Sequence, residues 1–247
     1  MGLFDKQYQE ITALLSRKRR EGHVTEFLHP HETRWPSEKN RNLVLGPDTA
    51  VELGNPRDAS ASFLLWLNDP SLLENGRISV VGPDLPQLSG QQVSFGRVVI
   101  AGGTDFDAEN SYERYREMEL LRYDIHLKGY MMRAVSQYGR EWSRVSREAL
   151  EKGFSFEVLG GAIVDQYLKL GYIRAVEVIF VTAGREDVQT LGQTAGGVLS
   201  IISAMNKMAD EMSFDCDTCE YTAVCGDVAE LRAMRSALQR KEAATGA

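Results

Sequence analysis

Cysteine is scarce in this sequence and unevenly distributed. The 247 residues contain three cysteines, and all three lie between residues 216 and 225. An odd number of clustered cysteines does not suit a disulfide framework, which secreted domains build from paired cysteines spread along the chain. The distribution therefore predicts a protein that keeps its thiols reduced, as in the cytoplasm.

Long apolar runs and a positive net charge are also missing. No apolar run approaches the roughly 18 residues that a membrane-spanning helix needs. The first residues, Met1–Lys6, lack the basic and then apolar order of a signal peptide. The net charge of −7 disfavours general electrostatic affinity for nucleic acid or for an anionic membrane. We therefore expect a cytoplasmic protein whose partners include neither nucleic acid nor a membrane.

The composition that remains is that of a globular protein. Apolar residues make up 43% of the chain and charged residues 26%. The length allows one large domain or two modest ones. We divide the chain into an N-terminal helix and polar linker at 1–42, an α+β domain at 43–212, and a cysteine loop with a closing helix at 213–247.

Short strands between turn residues dominate residues 43–102. Runs rich in apolar and β-branched residues are separated by clusters of Gly, Pro, Asn and Asp. The runs are Thr49–Leu53, Ser62–Leu67, Arg77–Val81 and Val93–Ala101. With a further clear strand at Val176–Val181, they predict an α+β fold with an antiparallel or mixed sheet built from residues 43–102 and 173–182.

Helical spacing of apolar residues predicts the elements that pack on this sheet. Residues 110–137 are apolar nearly all round at helical spacing, which predicts one long buried helix. Further helices are predicted from Phe4 to a stop at Gly22, and over 146–152, 156–170, 184–212 and 227–242. The pair Gly160-Gly161 would let another backbone approach closely. His29 and His31 flank a proline in a polar stretch, which indicates a solvated loop.

The cysteines follow the spacing C-x₂-C-x₅-C, with Cys216, Cys219 and Cys225. A C-x₂-C pair places two thiolates on one turn, close enough to share a metal, and the third returns after a short loop. Three inert buried cysteines are the alternative, because free cysteine packs as a small hydrophobe. We predict that the three thiols bind an iron–sulfur cluster, with zinc as the alternative metal.

The motif lacks a fourth cysteine. The acidic neighbours are not core residues, which favours the metal hypothesis. They are also the candidates for a fourth ligand, together with a histidine brought close by folding or an iron left open to solvent. These carboxylates are Asp215, Asp217 and Asp227.

Several segments resemble one family. Arg140–Phe156 reads Arg-Glu-Trp-Ser-Arg-Val-Ser-Arg-Glu-Ala-Leu-Glu-Lys-Gly-Phe-Ser-Phe. It is similar to the Gln-Arg-Asp-x-x-Trp-x-Arg-Ile-Ser…Ala-x-x-Lys-Gly-Phe-x-Phe stretch of acetyl-CoA synthase, the beta subunit of the CO dehydrogenase/acetyl-CoA synthase complex. Ala50–Gly54 and Ile78–Leu85 resemble that family's central domain, and Val176–Thr182 then leads into a long helix and a C-x₂-C. The resemblance covers roughly residues 45 to 225, the central domain plus the start of the A-cluster region.

The resemblance implies roles for the cysteines. Cys216 and Cys219 correspond to the opening pair of the family's A-cluster, and Cys225 to its third cysteine. The A-cluster joins a 4Fe–4S cubane to two nickel ions through further cysteines, including a Cys-Gly-Cys. In this sequence the third cysteine comes sooner and no Cys-Gly-Cys is found. The family's CO dehydrogenase-docking domain and its catalytic domain are also not represented. We therefore expect neither nickel nor complete acetyl-CoA synthase activity from this chain alone.

The leading functional hypothesis is an accessory or redox protein of anaerobic one-carbon, corrinoid or CoA metabolism. It would carry a labile 4Fe–4S cluster, and the resemblance implies CO dehydrogenase-type or corrinoid proteins as partners. A protein–protein interaction module stapled by zinc or a cluster is the alternative, and an enzyme completed by another subunit is a third hypothesis. Arg140, Arg144 and Arg147 are candidate contacts for CoA or another anion, or else ordinary surface ion pairs. The residues leave open whether the chain is an enzyme, and its oligomeric state.

Overall fold

Strands from both halves of the chain assemble into two mixed sheets. The structure, a computed structural model, describes residues 2–29, 32–38, 43–104, 106–107, 109–136, 138–210 and 219–245. In these ranges the helices are α1 (Asp5–Arg20), α2 (Ser111–Leu120), α3 (Arg147–Glu151), α4 (Phe156–Leu168), α5 (Arg185–Asp210), α6 (Thr222–Asp227) and α7 (Ala229–Thr245). The strands are β1 (Val24–Leu28), β2 (Thr49–Leu53), β3 (Ser60–Leu67), β4 (Arg77–Val81), β5 (Gln92–Val93), β6 (Phe95–Gly103), β7 (Tyr130–Ser136), β8 (Arg140–Ser146) and β9 (Ile173–Val181).

The first sheet has five strands in the order β1-β4-β9-β6-β3. The β1–β4 and β6–β9 pairs are antiparallel, and the β4–β9 and β3–β6 pairs are parallel. Every residue of β6 is buried, as are nearly all of β3 and β9. Continuous burial is typical of strands that are covered on both faces. The helix α4 packs on β4 and β9, and α5 packs on β3 and β6.

The second sheet has four strands in the order β5-β2-β8-β7. Its β2–β5 pair is parallel, and its β2–β8 and β7–β8 pairs are antiparallel. Residues of β8 alternate between buried and partly or fully exposed, because successive strand side chains point to opposite faces. The prediction of an α+β fold with a mixed sheet is confirmed, but the strand at Thr49–Leu53 belongs to this second sheet.

The predicted helix over 110–137 is wrong beyond residue 120. The helix α2 ends at Leu120, a 3-10 turn spans Leu121–Asp124, and β7 follows. Gly129 takes φ +81°, which only glycine adopts readily, and a Cβ there would lie 2.5 Å from the Cβ of Ala149. Beyond this turn, pairing of β7 with β8 outweighs the helical spacing of the apolar residues.

The predicted solvated loop is wrong for His29. This residue is buried, and its Nε2 lies 2.7 Å from Asp165 Oδ1 on α4. The backbone N–H of Thr33 donates to the other carboxylate oxygen at 2.8 Å. A Cβ on Gly161 would lie 2.6 Å from His29 Nδ1, so the glycine makes room for an imidazole ring and not for a backbone. His31 lies outside the described residues.

The other predicted helices are found close to their expected bounds. The closing helix is displaced, because Asp227 is the last residue of α6 and α7 begins at Ala229. The segment 1–42 contributes β1 to the first sheet, a strand that the sequence pattern did not indicate. Within the described ranges, no helix is long and apolar enough to span a bilayer.

Candidate functional site

Two of the three predicted thiol ligands lie around one cavity. Cys225 is buried on α6, and Cys219 is partly buried in the turn before it. Both line a cavity of about 20 Å³ between α5, α6 and α7. Cys216 lies outside the described residues, as do Asp215 and Asp217, so the three-cysteine loop stays a prediction.

Basic side chains line this cavity beside the two thiols. They are Lys207 of α5 and Arg235 of α7. The donor type suits iron or zinc, which thiolates bind well. A volume of about 20 Å³ takes a single ion, and a cubane would need the walls to move apart. Within the described ranges, no three His, Cys, Asp or Glu side chains gather around a common point, and exposed Asp227 does not line the cavity.

Arginines and a tryptophan share the outward face of β8. Arg140, Trp142 and Arg144 alternate with the buried residues of this strand and therefore point the same way. The guanidinium carbon of Arg133, at a bulge in β7, lies 4.8 Å from the centre of the Trp142 ring, and that of Arg144 lies 5.4 Å from it. We call these four residues the arginine–tryptophan face. The indole thus lies beside two cations, within the range of cation–π attraction.

The arginine–tryptophan face is positively charged. Arg144 Nε donates to Glu52 Oε1 at 2.6 Å. Burial raises the pKa of Glu52, but hydrogen bonds from Asn55 and Arg144 outweigh it and hold the pKa below its usual value. Arg140 donates to the backbone oxygen of Asp58 at 2.9 Å. Among the described residues, neither Arg133 nor Arg140 has a carboxylate partner within salt-bridge distance.

Arg147 lies apart from the other two predicted arginines. It is the first residue of α3 and lines a cleft of about 620 Å³. Arg34, Trp35, Lys128 and Lys152 line the same cleft. The structure therefore brings Arg140 and Arg144 together and separates Arg147 from them.

Sequence reasoning missed the buried carboxylate that positions this face. Glu141 is 1% exposed, and Arg97 Nη2 of β6 lies 2.6 Å from its Oε2. The hydroxyls of Ser62, Ser143 and Tyr130 donate to the same carboxylate at 2.8–3.1 Å. Burial raises the pKa of Glu141, but its positive and hydrogen-bonding neighbours, Arg97 first, outweigh burial and lower the pKa.

This network joins the two sheets through one strand. It ties β8 to β3 and β6 of the first sheet, and so fixes the side of β8 that faces outward. The alternation of charged and apolar residues in Arg140–Ser146 was the signal in the sequence.

Comparisons with known proteins give the chain its relatives. A family model described as CO dehydrogenase/acetyl-CoA synthase complex beta subunit matches residues 40–188, more than half of the chain. The match includes the arginine–tryptophan face and ends before the cysteines.

Individual relatives agree with the family model. The acetyl-CoA decarbonylase/synthase complex subunit beta of Methanopyrus kandleri is 31% identical over 138 residues, which are 55% of this chain and 28% of the relative. Subunit beta 1 of that complex from Methanosarcina thermophila is 28% identical over 181 residues, 70% of this chain and 37% of the relative. The carbon monoxide dehydrogenase/acetyl-CoA synthase subunit alpha of Moorella thermoacetica is 29% identical over 143 residues, 58% of this chain and 19% of the relative.

The aligned part of the chain thus spans well under half the length of these relatives. The family model nevertheless matches more than half of this chain, and the relatives are similar over 55–70% of it. The chain belongs to the CO dehydrogenase/acetyl-CoA synthase complex beta subunit family.

Proposed function

We propose that this chain is a beta-subunit-like protein that binds CoA on its arginine–tryptophan face and has an accessory or redox role in anaerobic one-carbon metabolism. The observation that supports this most directly is the placement of Arg133, Arg140 and Arg144 around Trp142 on one face of the second sheet. CoA combines a diphosphate and a 3′-phosphate with an adenine ring. Guanidinium groups bind phosphates through paired N–H donors, and an indole offers a surface on which a base can stack.

The ligand series CoA, ADP and pantetheine tests this proposal by isothermal titration. CoA and ADP should bind and pantetheine, which lacks the phosphates of both, should not. Arg140→Gln should weaken CoA binding by about tenfold, since a charge-assisted hydrogen bond contributes about 1.5–3 kcal/mol. Arg174→Gln, which removes an exposed arginine from the start of β9, is the matched control and should bind CoA as the wild type does. Equal binding of CoA and pantetheine would refute the site.

The relatives' names supply the partners of this proposal. They are subunits of acetyl-CoA decarbonylase/synthase complexes or of a carbon monoxide dehydrogenase/acetyl-CoA synthase. We propose a CO dehydrogenase-type protein as the first partner to test, and a corrinoid protein as the second. Co-purification with each purified partner, with and without CoA, is the test.

The cavity between Cys219 and Cys225 favours a second function, metal binding at the three-cysteine loop. We propose that both residues, with Cys216, hold an iron–sulfur cluster of the 4Fe–4S type, and that its fourth iron is open or bound by Asp215, Asp217 or Asp227. When bound, the cluster would supply one-electron transfer. Zinc is the alternative occupant, and the present volume of the cavity suits it.

Anaerobic reconstitution tests the cysteine loop. The wild type should take up iron and sulfide, and Cys219→Ser should take up much less, as measured by metal analysis and EPR. Uptake of zinc alone would favour the alternative, and equal iron in both proteins would refute the cluster.

Nickel and acetyl-CoA synthesis are not part of the proposal. A square-planar nickel site needs thiolate and amide nitrogen donors of the kind that Cys-Gly-Cys supplies, and the 247 residues contain no such tripeptide. We expect the isolated chain to contain no stoichiometric nickel and to form no acetyl-CoA from CO, a methyl-corrinoid and CoA. Acetyl-CoA formed by this chain alone would contradict that expectation.

A further inference from the structure

A second large cleft lies between α2 and α5, and the functions proposed above do not use it. Its volume is about 600 Å³, within the range of small-molecule sites. Side chains of β3, α2, α5 and the segment after Cys219 line it, and we call it the α2–α5 cleft. The hydroxyl of Tyr112 on α2 donates to Asn206 Oδ1 on α5, so the two helices are joined across the cleft.

An ion pair between a buried arginine and a partly exposed glutamate forms part of its lining. Arg122 is 8% exposed, and its Nη2 donates to Glu119 Oε2 at 2.6 Å. In the described part of the chain, this is the one hydrogen bond that the Arg122 side chain makes, although a guanidinium has five N–H donors. Likewise Glu119 Oε1 accepts no hydrogen bond from any described residue. Both charged groups therefore keep bonding capacity for a ligand.

The raised pKa of Glu119 is consistent with its unused hydrogen-bonding capacity. Burial raises its pKa, and the attraction of Arg122 and Arg97 does not compensate fully. A second positive group beside Glu119 would therefore stabilise its charged form.

The remaining charges of the lining balance each other. Lys207 and Glu220 add one charge of each sign, so the four charged side chains that line the cleft sum to zero. A cleft without net charge does not select a polyanion such as CoA. Polar side chains, such as Ser203 and Asn206, share the rest of the lining with tyrosine rings and aliphatic side chains. The last two groups include Tyr112, Tyr115, Tyr221, Leu64, Val198 and Ile202.

We propose that the α2–α5 cleft binds a small zwitterion of the amino-acid type, with its carboxylate on Arg122 and its ammonium group on Glu119. The ligand's carboxylate would accept hydrogen bonds from the unused N–H groups of Arg122. Its ammonium group would donate to the unused oxygen of Glu119. The tyrosine and aliphatic walls are suited to an uncharged side chain. A ligand that carries only one of the two charges would make only one of these two contacts and should therefore bind more weakly.

The ligand itself provides the first test. Free amino acids are titrated calorimetrically into the protein, each beside its N-acetyl derivative, which has no ammonium group, and its amide, which has no carboxylate. At least one amino acid should bind saturably, and both of its derivatives should bind about tenfold more weakly or worse. Binding of no free amino acid, or equal binding of the three forms, would overturn the proposal.

Two substitutions on α5 localise the binding. Ser203 lines the cleft, whereas Ser200 does not and donates its hydroxyl to the backbone oxygen of Gly196. Ser203→Trp fills the cleft and should abolish amino-acid binding, and Ser200→Trp should preserve it. Undiminished binding by Ser203→Trp, or displacement of the amino acid by CoA, would refute the assignment to this cleft.

A third variant tests whether Glu119 binds the ammonium group, independently of any effect on folding. Glu119→Gln keeps the shape of the side chain and removes its charge. In this variant the amino acid and its N-acetyl derivative should bind equally well, because the ammonium group no longer has its partner. If the variant still prefers the free amino acid by tenfold, Glu119 does not hold the ammonium group.

Discussion

Glu141 shows how one residue can position a surface that it never reaches. Its carboxylate lies inside the molecule, where it is bound by Arg97 and by hydroxyls from β3, β7 and β8. The neighbours of Glu141 in β8, Arg140 and Trp142, point outward as a consequence. A buried, fully partnered carboxylate therefore holds the sheet on which the arginine–tryptophan face is built.

Replacement of Glu141 by Ala should lower the free energy of unfolding by about 3–5 kcal/mol, because it leaves the Arg97 cation buried without its partner. Arg97→Met in the same chain should restore part of the loss. Urea denaturation of both variants measures the effect.

The exposed pair of Glu148 and Lys152 is the control for this prediction. Glu148→Ala should leave the free energy of unfolding unchanged within error, since exposed ion pairs contribute little. An equal effect of Glu141→Ala and Glu148→Ala would contradict the role of the buried network.

The contribution of Asp165 to stability should depend on pH. Burial raises its pKa, but hydrogen bonds from Thr33 and His29 outweigh burial, so the folded-state pKa lies below the unfolded value of about 3.9. The stabilisation is therefore complete above that unfolded value and is lost as the pH falls through the folded-state pKa. Denaturation of wild type and Asp165→Asn between neutral pH and acid should show the difference in unfolding free energy shrinking below about pH 4. A difference that stays constant with pH would exclude this account.

Elements whose signals are local were predictable from the sequence. The helices α1, α3, α4 and α5 follow apolar spacing and cap residues, such as Ser146, whose hydroxyl accepts a hydrogen bond from the Ala149 N–H. Elements whose structure depends on partners distant in the sequence were not predictable in this way. The strand β7 carries a helical spacing of apolar residues and becomes a strand through pairing with β8, which no single segment shows.

The same division holds for the candidate site. Arg140 and Arg144 are four residues apart in one segment and point to the same face of a strand, so the sequence could propose them together. Arg133 reaches Trp142 from the neighbouring strand at a bulge, and the register between strands is set by the whole sheet. Arg147 lies apart from the other two, because the strand ends and α3 begins between Arg144 and Arg147.

Glycines in α4 and α5 should respond in opposite directions to alanine. A Cβ on Gly160 would lie 2.8–3.0 Å from the side chain of Ile78, whereas one on Gly192 would meet no atom within 4 Å. Gly160→Ala should therefore destabilise the protein by about 1–3 kcal/mol through overpacking. Gly192→Ala should stabilise it by up to about 1 kcal/mol through helix propensity.

Thermal and urea unfolding of these two variants check that prediction. Gly196→Ala is a second open position in α5 and should behave as Gly192→Ala does. Stabilisation by Gly160→Ala would mean that the packing of α4 on β4 is looser than the structure shows.

At the scale of the whole molecule, the proposed functions occupy different places. The arginine–tryptophan face lies on the second sheet within the family match, and the cysteine cavity lies between α5, α6 and α7, with its two cysteines beyond residue 188. The α2–α5 cleft shares Lys207 and Tyr221 with the cysteine cavity. The family match therefore covers the residues of the face and not the cysteines.

Salt should separate the two proposed ligands. CoA on an open face of arginines should lose affinity as ionic strength rises, because exposed charges are screened over about 10 Å at 0.1 M salt. An amino acid held by the Arg122–Glu119 pair should lose much less, because its own charges sum to zero and the Arg122 side chain is buried. Titrations of each ligand at low and high salt measure both, and an equal salt dependence would contradict the difference between the sites.

The affinity for CoA of the wild type and of Arg133→Gln/Arg140→Gln, determined by isothermal titration in the same buffer, decides whether the arginine–tryptophan face binds CoA. These two arginines have no carboxylate partner among the described residues, so their loss should leave folding intact and remove phosphate contacts. We predict a fall in affinity of about a hundredfold, about tenfold for each arginine. An unchanged affinity for CoA in a folded double variant would contradict the claim that the arginine–tryptophan face is its binding site.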